Sequence, residues 1–468
     1  MIKSNITEII RERDSLSIKE RTAIAVRLSI PSIIAQLSSI LMQYIDAAMV
    51  GALGANASAS VGLVSSTIWF FDAIVMSCIY GFSVQIAHAI GAGRSAVSRS
   101  IFYEGIKINL LFSSFMAILG FILSFKLPYL LGGDATIAEN AFRYFLVAAL
   151  FMPILSMDYY AASCLQSAGN MKIVGFIETL KCFLDIIFNF FFIFPSGVKN
   201  LGFISFYSPG FGLGVMGAAL GTYAAEFIAA VIMMREAVYR TESLKFEKGK
   251  KYPIRKNTML KALKISLPSA VENAALSGAQ IFSTRIVAPL GNIAIAAHSF
   301  AITAESLCYM PGYGLEAAAA TLVGQSLGAG KTKHAKGFAN VTVGLGMIIM
   351  TAAAVIMYFI APGVFSFLTP DPYVRELGVR ILRIELLAEP FFGASIVAAG
   401  ALRGAGDTLA SSIIHLFSMW VVRISLACIL VGKFGLEGVW TAMCIELTFR
   451  GIAFLVRLRF AKWNKNKI

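Results

Sequence analysis

Acidic side chains stand here where ionised groups are costly. The chain has 468 residues, of which 57% are hydrophobic and 14% charged. Yet Asp46, Asp72, Asp158, Asp185, Glu226, Glu272, Glu305, Glu316, Glu385, Glu389 and Glu446 all fall within long apolar stretches. A carboxylate at bilayer depth must face a cavity or a partner, and so many of them point to reversible binding of protons or cations rather than to a passive anchor. One stretch carries Glu178, Lys181, Asp185 and Asn189, spaced i, i+3, i+7 and i+11, which puts all four on one stripe of a helix. Lys181 stands at i, i+4 from Asp185 and is placed to pair with it and tune its proton affinity. Neither a His-Glu-x-x-His pattern nor a nucleophile elbow is present, so no enzyme is expected. His88, His298, His334 and His415 are dispersed singly, and Cys78, Cys164, Cys182, Cys308, Cys428 and Cys444 lack paired spacing. Neither set suggests a metal site or a disulfide frame, and no cofactor is expected.

The elements that position these groups are membrane helices. Ordinary soluble domains carry about 25% charged residues, far more than this chain. Uncharged runs such as Ile108–Phe125 and Val341–Ala361 are long enough to cross the hydrocarbon core and too continuous for porin-type strands. Twelve spans are predicted, at 28–50, 57–90, 101–125, 138–164, 173–195, 214–234, 265–288, 292–326, 338–362, 377–402, 410–432 and 435–456. Pro153, Pro268, Pro311 and Pro390 fall inside spans and predict kinks, whereas Pro31 lies near the start of one. With the amino terminus inside, the inner segments hold twenty-eight Lys and Arg residues and the outer loops four, Lys126, Lys199, Arg375 and Lys433. That bias follows the positive-inside rule and accounts for a net charge of +14 without nucleic acid. The expected organisation is a cytoplasmic tail (1–27), a first lobe (28–234), a basic cytoplasmic linker (235–264), a second lobe (265–456) and a basic cytoplasmic tail (457–468). The protein is expected in the cell (inner) membrane, as a monomer in contact with lipid.

The two lobes are related by duplication. Pro31-Ser32 recurs as Pro268-Ser269, Leu53-Gly54 as Leu290-Gly291, Gly91-Ala92-Gly93 as Gly328-Ala329-Gly330, Pro153 as Pro390, and Leu165 with Ala168-Gly169 as Leu402 with Ala405-Gly406. Every pair is separated by 237 positions. The register drops to 224 at Gly214-Val215 and Gly438-Val439, because the outer loop Pro195–Gly212 is longer than its counterpart. An even number of crossings per half makes the repeats parallel, about an axis along the membrane normal. The Gly-Ala-Gly motifs read as helix C-caps before basic loops.

Several segments resemble the multidrug and toxic compound extrusion (MATE) family: "IPSIIAQ" with "QYIDAAMVGALG" (Ile30–Gly54), "AIGAGR" (Ala89–Arg94), "LQSAGN" (Leu165–Asn170), "LPSAVEN" with "APLG" (Leu267–Gly291), "MPGYGLEAAAATLVGQSLGAG" (Met310–Gly330) and "ALRGAGDT" (Ala401–Thr408). The resemblance implies an all-α fold of two six-helix lobes related by a pseudo-twofold axis. It also implies alternating-access export of small organic, often cationic, compounds in exchange for inward H⁺ or Na⁺. Asp46 matches the family's first-helix aspartate. In "DIIFNFFFIF" (Asp185–Phe194) the family's Asn and Asp are exchanged, with Asp185 on the Asn position and Asn189 on the Asp position. Asp46, Asp185, Asn189 and Lys181 are therefore the candidate ion-coupling residues, with Na⁺ conceivable at the first three. Glu272, Glu389, Asp72 and Glu305 are the candidates for the substrate or cation cavity, although Glu272 and Glu389 are displaced from the acidic positions of several branches, occupied here by Leu276 and Phe392. A lipid-linked saccharide flippase of the same superfamily is the main rival. It predicts a cavity rich in Arg and Lys, whereas the central positions here are mainly acidic. A membrane-embedded enzyme and a channel or receptor are weaker rivals.

Overall fold

The computed structural model describes residues 6–201, 204–460 and 463. A short helix α1 (Ile6–Glu12) precedes α2 (Ile18–Gly51), α3 (Ala55–Gly91), α4 (Ser95–Ser124), the single turn α5 (Leu127–Leu130), α6 (Ala135–Ser167) and α7 (Met171–Ile193). Strands β1 (Pro195–Leu201) and β2 (Ile204–Phe211) then form an antiparallel hairpin, followed by α8 (Gly214–Arg235). The second half holds α9 (Lys256–Val287), α10 (Asn292–Gly328), α11 (Thr332–Leu368), α12 (Pro372–Glu385), α13 (Glu389–Gly404), α14 (Thr408–Leu416) and α15 (Ser425–Phe460). A wide-turn segment at 417–424 joins the last two. Among the described residues, eight helices are long and apolar enough to cross a membrane. The helices outside that set are informative: α7 carries Glu178, Lys181 and Asp185, and the α12–α13 path is broken at 386–388. Polar or interrupted helices are what a membrane protein tolerates where they line a cavity.

Two sequence expectations need correction. The helix of the first predicted span, α2, begins at Ile18 rather than 28, because Ser17 and Glu20 form a capping box: Glu20 N donates to Ser17 Oγ at 3.2 Å and Ser17 N to Glu20 Oε2 at 2.9 Å. Pro31 therefore sits well inside α2. Pro390 does not kink one continuous helix but occupies the first turn of α13, just after the break, where its missing N–H costs nothing. The longer outer loop pairs its backbone as the β1–β2 hairpin.

The repeat is visible in the backbone. The starts of α3, α4, α6 and α7 at 55, 95, 135 and 171 recur at 237 positions on as the starts of α10, α11, α12 and α14 at 292, 332, 372 and 408. Helix α3 ends in a Schellman motif, with Arg94 N donating to Ala89 O and Gly93 N to Ile90 O, both at 2.9 Å, and α10 ends alike through Lys331 N to Ser326 O and Gly330 N to Leu327 O. Gly93 and Gly330 hold φ of +71° and +74°, a left-handed conformation that only glycine adopts without strain.

The halves meet where α2 packs on α10, and α3 on both α9 and α10. This contact is reciprocal. His88 Nε2 lies 2.8 Å from Gly404 O, and Gln325 Nε2 donates to Ser167 O at 2.8 Å; 88 and 325, like 167 and 404, differ by 237. A Cβ on Gly91 would strike the backbone of Gln325, and one on Gly328 the backbone of His88, so both glycines are required by the close approach of the helices. Away from this seam, apolar side chains face outward, including Leu111, Ile118 and Ile122 on α4 and their counterparts Ile348, Val355 and Phe359 on α11. Such a continuous exposed apolar surface belongs in lipid.

Candidate functional site

A cavity of about 610 Å³ opens between the halves. Its walls include Gln36 and Gln43 of α2, Trp69, Asp72 and Tyr80 of α3, Tyr159 of α6, Glu178 and Lys181 of α7, Glu226 of α8, Glu272 of α9, Glu316 of α10, Arg403 of α13, His415 of α14 and Arg450 of α15. The volume suits a small organic molecule, with aromatic surface for its body and few, placed charges to orient it.

On the first-half wall, Lys181 is buried with three carboxylates around its ammonium: Glu178 Oε2 at 2.8 Å, Asp158 Oδ2 at 3.0 Å and Glu226 Oε1 at 3.3 Å. The pairing of Lys181 with Asp185 expected from their spacing is not made. Glu178 precedes Lys181 on the same face, and the lysine's flexible stem reaches Asp158 and Glu226 on the adjoining helices α6 and α8.

One turn further along α7, Asp185 and Asn189 meet Asp46. Asn189 Nδ2 donates to Asp46 Oδ1 at 2.7 Å and to Asp185 Oδ2 at 3.1 Å, so a single amide bridges two carboxylates. The Thr222 side chain of α8 is within reach of both acids. Gly221 admits this approach, since a Cβ there would lie 2.1 Å from Asn189 Oδ1. Three of the four candidates for ion coupling, Asp46, Asp185 and Asn189, are thus brought together, while the fourth, Lys181, is held instead by Glu178, Asp158 and Glu226.

The candidate cavity residues divide. Asp72 and Glu272 line it. Glu272 accepts from Ser412 Oγ at 2.7 Å and sits 2.7 Å from His415 Nδ1, so His415 is a site residue rather than a core histidine. Glu316 accepts from Arg403 Nη1 at 2.6 Å, and the same guanidinium lies 4.2 Å from the ring centre of Tyr80 in the opposite half. Glu305 and Glu389, by contrast, are not on the cavity wall but lie buried inside the second half. There Glu385 and Glu389 flank the α12–α13 break, with Glu305 in electrostatic range of both and of Arg423 and Arg450. Glu446 is taken by Arg450 at 3.0 Å. The centre is accordingly mixed rather than mainly acidic, because Lys181, Arg403 and Arg450 share it with the carboxylates. Among the described residues, no group of three or more His, Cys, Asp or Glu side chains is arranged to hold a metal ion.

Sequence reasoning missed Thr222, Ser412, Arg403 and Arg450. The two arginines carried a usable signal, being basic residues in or beside apolar spans, where each must meet a counter-charge. The hydroxyls carried none.

Comparison with known proteins agrees with this geometry. The chain is 26% identical over 448 residues to the "Probable multidrug resistance protein NorM" of Thermotoga maritima, covering 95% of this chain and 93% of that one. It is 24% identical over 437 residues to the protein of the same name from Chromobacterium violaceum, covering 91% and 90%. Among solved structures it resembles a MOP superfamily transporter from Pyrococcus furiosus, described as having a binding pocket of reverse polarity that suggests a different function, with a TM-score of 0.88, 20% identity and full coverage of both chains. It also resembles the Vibrio cholerae MATE transporter VcmN, with a TM-score of 0.87 at 18% identity, covering 96% of this chain and 99% of that one. The family model MatE matches twice, over residues 31–191 and again over 268–429, the two stretches that the 237-residue repeat relates. Together the matches cover well over half of the chain, which is a multi-pass membrane protein of the MATE family of transporters.

Proposed function

We propose that this protein is a secondary active antiporter that exports small organic compounds, cationic or amphipathic, in exchange for inward H⁺ or Na⁺, by alternating access between two six-helix lobes. The observation that carries this reading is the cavity between the halves, walled by carboxylates and aromatic side chains from both and flanked by the Asp46–Asn189–Asp185 cluster. Reciprocal packing of α3 and α10 supports a pseudo-twofold axis along the membrane normal, and twelve crossings follow if α7, α9 and the α12–α13 path each span once and α14–α15 crosses twice about Gly435. The basic loops support cytoplasmic termini and a cytoplasmic linker at 235–264, in the inner membrane. The activity is transport, not enzymatic turnover. Neutralising Asp46 or Asp185 with a proton or Na⁺ removes charge from a site that two lobe arrangements solvate differently, and only such differential binding can couple the ion to the substrate.

Uptake into inverted membrane vesicles tests the reading. A fluorescent organic cation should accumulate only when an ion gradient is imposed, and repeating the assay without Na⁺ identifies the coupling ion. Movement of a labelled lipid-linked saccharide with no organic-cation transport would favour the flippase, the second reading that Lys181, Arg403 and Arg450 on the cavity wall keep in play.

A further inference from the structure

The open negative charge of the cavity lies on one wall. In the second half Glu272 is engaged by His415 and Ser412, and Glu316 by Arg403. In the first half the Lys181 ammonium serves Glu178, Asp158 and Glu226 at 2.8, 3.0 and 3.3 Å, and Asp72 faces the same space. One ammonium cannot balance four carboxylates. Oxygen atoms on the cavity wall are left over as well: Glu226 Oε2 and Asp72 Oδ1 are buried without a hydrogen-bond partner among the described residues, and Glu226 is 4% exposed, whereas Asp158, 0% exposed, does not line the cavity.

We propose that this wall is a recognition subsite for substrates bearing an N–H-donating cation, meaning a primary or secondary ammonium, an amidinium or a guanidinium. Quaternary ammonium or phosphonium ions of the same size are disfavoured, and Lys181 acts as a built-in competitor for the same oxygens. The inference rests on the organic-cation reading of the cavity above. Lys181 itself displays the chemistry, since it is a primary ammonium whose N–H groups meet three carboxylates from three helices at hydrogen-bond distance. Its flexible four-carbon stem allows the head to withdraw when a better donor arrives. A quaternary cation carries the charge but no donor, so it would cover buried acceptors without satisfying them. A site built to hydrogen-bond its ligand discriminates strongly against an analogue lacking the donor. Trp69 and Tyr159 on the same wall hold the body of either cation equally through ring contacts and supply no preference.

Dansylcadaverine and its N,N,N-trimethyl derivative share one fluorophore, length and charge and differ in N–H donors. Their binding to the purified full-length protein in detergent is read by dansyl fluorescence. The expected result is a preference for the primary amine of about tenfold, equivalent to about 1.4 kcal/mol. Glu178→Gln and Glu226→Gln should erase that preference while leaving the trimethyl compound nearly unaffected, and Lys181→Met should tighten the primary amine selectively. Because Lys181→Met strips three buried carboxylates of their partner and can compromise folding, Glu178→Gln, on the least buried of the three, is the deciding variant. Equal binding of both probes, or parallel weakening of both in the glutamine variants, would overturn the subsite while leaving the cavity reading intact. Binding of neither probe would overturn the cavity reading and the subsite together.

Discussion

Two carboxylates joined by a single amide set the chemistry at the scale of the residue. Asn189 spends both N–H bonds of its side chain on Asp46 and Asp185, which lets the pair sit close. Asn189→Ala removes that bridge and leaves buried acceptors unserved, a loss of about 1–3 kcal/mol. Thermal unfolding in detergent should record the loss, and gradient-driven transport should fall with it; an unchanged melting temperature together with full transport would make the bridge incidental. The candidate ion residues were legible in the sequence because an acidic side chain in an apolar span is rare, and because the i, i+4 spacing of Asp185 and Asn189 puts them on one face. The partner of Lys181 was not legible. Spacing within one helix favoured Asp185, whereas Asp158 and Glu226 approach from helices whose neighbourhood only the fold decides. Glu305 and Glu389 failed as cavity residues for a related reason: depth in the membrane can be read from sequence, but the direction in which a helix face points, towards the cavity or into its own bundle, cannot.

At the scale of the element, glycine and polar caps place the helices. The 237-residue repeat predicted the helix ends before arginine and lysine, and the Schellman turns at Gly93 and Gly330 are the physical content of that motif. The amino-terminal segment was less legible, because seven residues of helix have too short a period to stand out. Helix α1 nonetheless seals the basic end: Ile10 is fully buried in a cluster with Leu28, Met171, Leu322 and Phe338 drawn from both halves, and Thr7 Oγ1 donates to Gln325 Oε1 at 3.2 Å. Asp14 also pairs with Lys331, and that hydrogen bond and charge hold its carboxyl below the usual range. An exposed ion pair contributes little, however, whereas a buried isoleucine contributes much. Ile10→Ala should therefore destabilise the protein by about 2–5 kcal/mol, and Asp14→Ala by far less. Unfolding of the two variants compared at neutral pH checks the ranking, and a larger loss for Asp14→Ala would mean that α1 is held by charge.

At the scale of the whole molecule, duplication places the cavity on the seam between the halves. His88 reaching Gly404 and Gln325 reaching Ser167 are the same contact made twice, and with the packing of Gly91 and Gly328 they close the seam at its basic end while the cavity lies further along it. The cavity wall draws residues from both halves, and it is their meeting across the seam that makes a binding space of them. The double match of one family model was foreseeable from the repeated motifs, whereas the cavity's mixed charge was not, because only the packing of the helices decides that Arg403 of α13 and Arg450 of α15 face the cavity. The central claim is that ion binding at the Asp46 cluster drives movement of an organic cation through this cavity. Asp46→Asn retains size and hydrogen bonding but fixes the neutral form. The direct measurement is accumulation of a fluorescent organic cation by proteoliposomes holding either the wild-type protein or Asp46→Asn, under an imposed proton or Na⁺ gradient and at matched protein content. Driven accumulation in the wild type, with its loss in a variant that still inserts and melts normally, is the expected result; driven accumulation at the wild-type rate in Asp46→Asn would contradict the claim.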